Sequence, residues 1–146
     1  MNVRIRFSKT GPLVYIGHLD VMRYFQKLIR RAQIPVAYSE GFSPHQLLSF
    51  TPPLPLGMES LGEYADVRLT GSVSTKEALQ RLREQSVDDI NIMSFRLLPE
   101  KSENAMASVR AARYEVTIPE DLTAAACDAV DSFLKKSEVN IIKKSK

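Results

Sequence analysis

The chain has 146 residues, a length that suits one domain or one domain with a partial second, and its 44% hydrophobic and 25% charged residues argue against wholesale disorder. No apolar run approaches the roughly 18 residues of a membrane span, and residues 1–6 alternate instead of forming a signal-peptide core, so a cytoplasmic protein is expected. One cysteine, Cys127, excludes an internal disulfide and cannot alone hold an iron–sulfur cluster or a Cys-rich zinc site, so no resident cofactor or metal is expected.

The net charge of +3 is unevenly spread. Residues 1–31 carry Arg4, Arg6, Lys9, Arg23, Lys27, Arg30 and Arg31 against one acid, Asp20, which gives +6 there and leaves −3 for the remainder. The N-terminal quarter is therefore the candidate anion-binding region.

In chain order, Val3, Ile5 and Phe7 alternate with Arg4 and Arg6, the period of a strand with one buried face. The 9–12 stretch breaks it, and a helix is predicted over 18–33, ending before Ile34-Pro35. Val21, Met22, Tyr24, Phe25, Leu28, Ile29 and Ala32 fall on one arc of that helix, while Arg23, Lys27, Arg30 and Arg31 fall on the opposite one. A short strand is predicted at 35–38 and a longer one at 63–69, where Ala65, Val67 and Leu69 alternate with Tyr64, Asp66 and Arg68. Between them, residues 39–62 form a long Gly- and Pro-rich connection with a brief strand at 47–50; connections of this length are often functional.

Ser74-Thr75-Lys76-Glu77 fits a capping box and opens a helix over 75–85, followed by a strand at 90–98. The first module, residues 1–99, thus has the β-α-β-β-α-β order of the ferredoxin-like fold, two helices on one face of an antiparallel sheet. Residues 100–111 read as a polar linker. Beyond it, a strand at 112–118, a helix opened by Pro119-Glu120-Asp121 and a strand at 139–142 predict a partial second β-α-β module over 112–146. The fold class expected is α+β, one and a half ferredoxin-like modules, with exposed sheet edges that something must cover.

Four constellations can carry chemistry. Gly17-His18-Leu19-Asp20-Val21-Met22-Arg23 gathers His, Asp and Arg at a helix start; His18 can bind phosphate or move a proton, while Asp20, at the third helical position, has a competing task as a cap. Ser39-Glu40-Gly41-Phe42-Ser43-Pro44-His45 can cradle a phosphate beside a base stacked on Phe42, or be an ordinary turn with Phe42 in the core. The bases Arg4, Arg6, Arg23, Lys27, Arg30 and Arg31 are the nucleic-acid-binding candidates, with a solvated helix face as the plainer explanation. The Pro52 to Ser60 stretch reads as a rigid extended scaffold. His18, His45 and Asp20 are the catalytic candidates, if the fold brings the two histidines together.

Gly17-His18-Leu19-Asp20 with Met22-Arg23, then Arg30-Arg31-Ala32, Tyr38-Ser39-Glu40-Gly41-Phe42-Ser43-Pro44-His45 and Leu54-Pro55-Leu56-Gly57-Met58-Glu59-Ser60, together resemble the radical SAM-linked domain family of unknown function in bacteria. The resemblance covers the first hundred residues and implies a companion of cobalamin-binding radical SAM proteins; it supplies no catalytic residue. It departs from the family at Gly17, where serine is more usual, and family members run on past the position of Lys146. The doubled outline also resembles the CRISPR repeat endoribonucleases at the level of fold alone. The function expected is an accessory RNA-binding module, non-catalytic by itself, acting with a radical SAM partner. The alternatives are a metal-independent endoribonuclease using His18 and His45, and a protein-binding adaptor.

Overall fold

Strand β1 (Asn2–Lys9) is the axis of the first unit of the computed structural model, which describes residues 1–142. It is paired on both sides, antiparallel to β3 (Ser60–Arg68) and to β4 (Ile92–Leu97), and the four-stranded sheet has the order β2-β3-β1-β4 with β2 (Leu48–Phe50) at one edge. The pleat sends Val3, Ile5 and Phe7 to one face, where all are fully buried, and Arg4 and Arg6 to the other. The registers Val3↔Val67, Ile5↔Ala65 and Ile5↔Phe95 put the buried residues of three strands on that same face.

Helices α1 (His18–Arg31) and α2 (Thr75–Gln85) cover this face. Helix α1 buries Val21, Phe25, Leu28 and Ile29 and leaves Arg23, Lys27, Arg30 and Arg31 exposed, as its 3.6-residue pattern requires. It stops where Gln33 takes a left-handed conformation (φ 52°), two residues before Pro35. Helix α2 is capped by the Ser74 hydroxyl, which accepts from the Glu77 N–H, and buries Ala78 and Leu82. The core centres on an aromatic cluster: the Phe25 ring lies 4.5 Å from Phe7 and 5.3 Å from Phe50.

Two expectations need correction within this unit. The strand expected at 35–38 is reduced to two isolated bridges, Val36↔Leu69 and Tyr38↔Gln46, because its residues turn to different partners; the edge strand is β2. The first compact unit runs Met1–Arg110, so 100–111 is not a free linker. It contains a short helix, α3 (Ala105–Ser108), that lies on the sheet face opposite α1 and α2. There Asp66 accepts from Arg4 Nε at 2.7 Å, from Arg4 Nη2 at 3.0 Å and from the Ala105 N–H at 2.6 Å. The helix is capped by Asn104, and Ala105 is fully buried. A polar sequence without periodicity docks here through one charged cross-strand pair, which window averages do not register.

The second unit, Ala111–Lys146, holds a 3₁₀ turn (Glu120–Leu122) leading into α4 (Thr123–Leu134). The strands expected at 112–118 and 139–142 are not formed among the described residues, so the partial β-α-β module is reduced to its helix. Alternation of apolar residues prepares a segment for a sheet; a strand forms only where another strand completes its hydrogen bonds.

Candidate functional site

The predicted cationic residues do not form one surface. Arg4 and Arg6 project from the sheet face opposite α1, with the whole core between them and the helix arginines. Arg4 is fully engaged: beyond Asp66 it donates to Ser108 Oγ at 3.2 Å and to the Glu103 carbonyl at 2.9 Å. Its hydrogen bond to Asp66 raises its pKa above the ordinary arginine value, partly offset by desolvation. Arg4 is a structural residue. Arg6 is exposed beside Tyr64, its cross-strand neighbour, and donates to the Leu61 carbonyl.

On α1, Arg23 pairs with Asp20 at 3.2 Å, both largely exposed, an interaction worth little in water. Gly17 is the N-cap, without a side-chain cap hydrogen bond, and Asp20 lies in the first turn as expected, where its charge complements the helix dipole while it pairs with Arg23. Arg31 donates to the Gln85 carbonyl at the end of α2. Lys27 and Arg30 are exposed and, among the described residues, in no ion pair.

The 39–45 loop is built to a fixed shape. Ser39 and His45 clasp its base through three bonds: Ser39 N–H to the His45 carbonyl (2.8 Å), His45 N–H to Ser39 Oγ (3.0 Å), and Ser39 Oγ with His45 Nδ1 (2.8 Å). Gly41 at φ 105° makes the turn that only glycine adopts freely. Phe42, at the tip, is fully exposed, which rules out the reading that tucks it into the core. Gln46 follows the loop, is buried, and donates to the Gln26 carbonyl on α1 at 3.2 Å. Gln26 lies three residues from Arg23 and four from Arg30, so the foot of the aromatic loop stands on the helix flank that carries both arginines.

The two histidines line different depressions. His45 borders a groove of about 340 Å³ on the sheet face that carries α3, together with Asp66, Arg68 and Glu103. His18 borders a crevice with a cavity volume of about 20 Å³ at the start of α1, its ring edge-on to Phe50 at 5.6 Å. Among the described residues no group of three or more His, Cys, Asp or Glu is placed to hold a metal, and no helix is long and apolar enough to cross a membrane.

The crevice contains a residue that sequence reading passed over. Lys9 is only 3% exposed, follows Val3, Ile5 and Phe7 on the inward side of β1, and lines the crevice with His18, Thr51 and Glu63. It was counted in the cationic N-terminal segment but not among the site candidates; its place in the period-2 register was the signal, since a lysine in an inward position is costly unless it has a task. Register shifts near Phe7 in both ladders mark the bulged end of β1 that delivers it there.

A family described as uncharacterized protein conserved in bacteria, DUF2344, matches residues 2–146. The chain belongs to this family. No curated protein and no solved structure matches it. In this DUF2344 chain the match takes in the α1 arginines, the Phe42 loop and the Lys9 crevice, all within the first unit, as well as α4 in the second.

Proposed function

We propose that this DUF2344 chain is a non-catalytic module that binds single-stranded RNA along the Arg23–Arg30 flank of α1 and the tip of the 39–45 loop. The observation that carries the reading is Phe42, fully exposed on a clasped loop whose foot is fastened to α1 beside Arg23 and Arg30. A rigid aromatic next to surface cations, Lys27 and Arg30 in no ion pair among the described residues and Arg23 only weakly paired with Asp20, is the pairing that holds single strands: bases stack on the ring while the cations follow the backbone. An exposed phenylalanine on a loose loop would carry little information; this one is held out by three bonds at its base.

Strand order β2-β3-β1-β4 with both helices on one face supports a ferredoxin-like assignment for the first unit, an architecture common among RNA-binding modules. The typical sheet-face mode is disfavoured because α3 occupies part of that face and Arg4 is spent holding it. Binding is therefore assigned to the helix and loop. The proposed partner, a cobalamin-binding radical SAM protein supplying cluster and chemistry, rests on the sequence resemblance, and a cytoplasmic location follows from that partnership. A two-histidine acid–base pair is disfavoured because His18 and His45 border separate depressions.

Lys27→Glu with Arg30→Glu should weaken binding of a single-stranded RNA at least about tenfold, and Phe42→Ala should weaken it about 5- to 100-fold, the range set by one lost base–aromatic stack. Fluorescence anisotropy measures both. Since all three side chains are exposed, thermal stability should hold; undiminished affinity in both variants would sink the reading.

A further inference from the structure

The Lys9 crevice has a charge pattern that selects among small groups. Lys9 Nζ donates to the Ile16 carbonyl at a long 3.4 Å, and no carboxylate of the described residues lies within 4.0 Å of it. An ammonium has three N–H donors, so at least two remain for whatever enters. Facing the same space is Glu63, whose carboxylate is held by Ser60 Oγ at 2.7 Å and Thr51 Oγ1 at 3.3 Å. The Ser60 hydroxyl donates to Glu63, and the single Thr51 hydroxyl proton is shared between Glu63 and the Tyr64 carbonyl at 3.4 Å, which positions the carboxylate and leaves it acceptor capacity. Phe7, Val21 and Phe50 form apolar wall, and His18 with the 52–54 stretch completes the lining.

A cavity of about 20 Å³ holds one water-sized group. A phosphate or carboxylate that reached Lys9 would bring its charge against Glu63, and an ammonium that reached Glu63 would meet Lys9. A hydroxyl satisfies both sides: it accepts from the lysine and donates to the glutamate, and it has the size of the water it displaces.

The geometry points to a seat for a sugar hydroxyl, the 2′-hydroxyl of an RNA strand, in the crevice between Lys9 and Glu63. This rests on the RNA-binding reading and adds to it the element that distinguishes RNA from DNA, since the 2′-hydroxyl is the group that differs. His18, the first residue of α1, borders the crevice, and Arg23 stands about 7.5 Å further along the helix axis and about 140° around it, so a strand seated in the crevice reaches the α1 cations by passing around the start of the helix. Lys9 and Glu63 are then specificity residues, while the α1 cations and Phe42 supply the part of affinity common to both nucleic acids.

The test compares one sequence of about twelve nucleotides as RNA, as DNA and as 2′-O-methyl RNA, bound to the full chain, the length being chosen to fill a typical single-strand site. Wild type should bind RNA about tenfold more tightly than DNA, the size expected of one charge-assisted hydroxyl, and the 2′-O-methyl strand should bind no better than DNA because its oxygen has no proton for Glu63. Lys9→Met and Glu63→Met should each bring the RNA-to-DNA ratio close to one while DNA affinity holds. Equal binding of all three strands by wild type overturns the proposal and leaves the RNA-binding reading standing, as does a ratio that persists in both variants. Binding of none of the strands overturns the parent reading. Should a variant lose its fold, its DNA arm collapses too, and the wild-type comparison with the 2′-O-methyl strand decides alone.

Discussion

Phe25→Ala should destabilise the first unit by about 3–5 kcal/mol, the largest effect expected of any single substitution outside the backbone-constrained turns. Phe25 is fully buried at the centre of the aromatic cluster, against Phe7 from β1, Phe50 from β2 and Tyr24 from its own helix. Truncation removes the ring that joins helix to sheet and leaves a cavity that three rigid neighbours cannot fill by small shifts. A domain of this size has about 5–15 kcal/mol of stability in total, so the variant should unfold at markedly lower urea or be largely unfolded at 37 °C. Lys27→Ala, on the opposite side of the same helix, should lie within about 0.5 kcal/mol of wild type. A loss below about 1 kcal/mol for Phe25→Ala would mean that the core is centred elsewhere.

Asp66→Ala should cost about 2–4 kcal/mol and free the 99–110 segment from the sheet. The carboxylate takes two bonds from Arg4 and one from the Ala105 N–H, and both side chains of the ion pair are mostly buried, at 21% and 12% exposure. Its removal leaves the Arg4 guanidinium half-enclosed without its counter-charge and leaves Ala105 N–H without an acceptor. Amide exchange at Ala105 and proteolysis within 99–110 should accelerate in the variant. The pair Arg4→Met with Asp66→Leu should recover most of the stability without restoring the Ala105 bond, because replacing both charges avoids the unpaired one. If Asp66→Ala leaves exchange at Ala105 unchanged, α3 is held by its buried alanine and not by the ion pair.

The contrast between these two anchors explains what the sequence made legible. Helix α1 was readable because its pattern is local: a 3.6-residue stripe ends at Pro35, and burial follows the stripe residue by residue. Helix α2 announced its start through Ser74 and Glu77. Two long strands, β1 and β3, followed from alternation, with β3 starting three residues earlier than the pattern suggested. Non-local features escaped. The 35–38 segment has strand composition, yet its partners, Leu69 and Gln46, lie on different sides. Tyr114, Val116 and Ile118 alternate as strongly as Val3, Ile5 and Phe7, but no described strand receives them. The docking of α3 depends on Arg4 and Asp66, 62 residues apart, an encounter that composition cannot foresee.

The candidate site was legible in part for the same reason. Phe42 and the α1 bases were visible as residue types, and the clasp by Ser39 and His45 was not, so a histidine selected as a catalytic candidate turns out to hold a loop. Arg4 was selected for its charge and is spent on structure. Lys9, counted with the other N-terminal bases but not among the site candidates, is the base that the fold buries.

Binding of single-stranded RNA by the wild-type chain across a salt series tests the central claim most directly. With Arg23, Lys27 and Arg30 each meeting a phosphate, log affinity against log salt should fall with a slope of about −2, and with neighbouring bases joining no steeper than about −4. A slope near zero, or no measurable binding at low salt, would contradict an RNA site on α1.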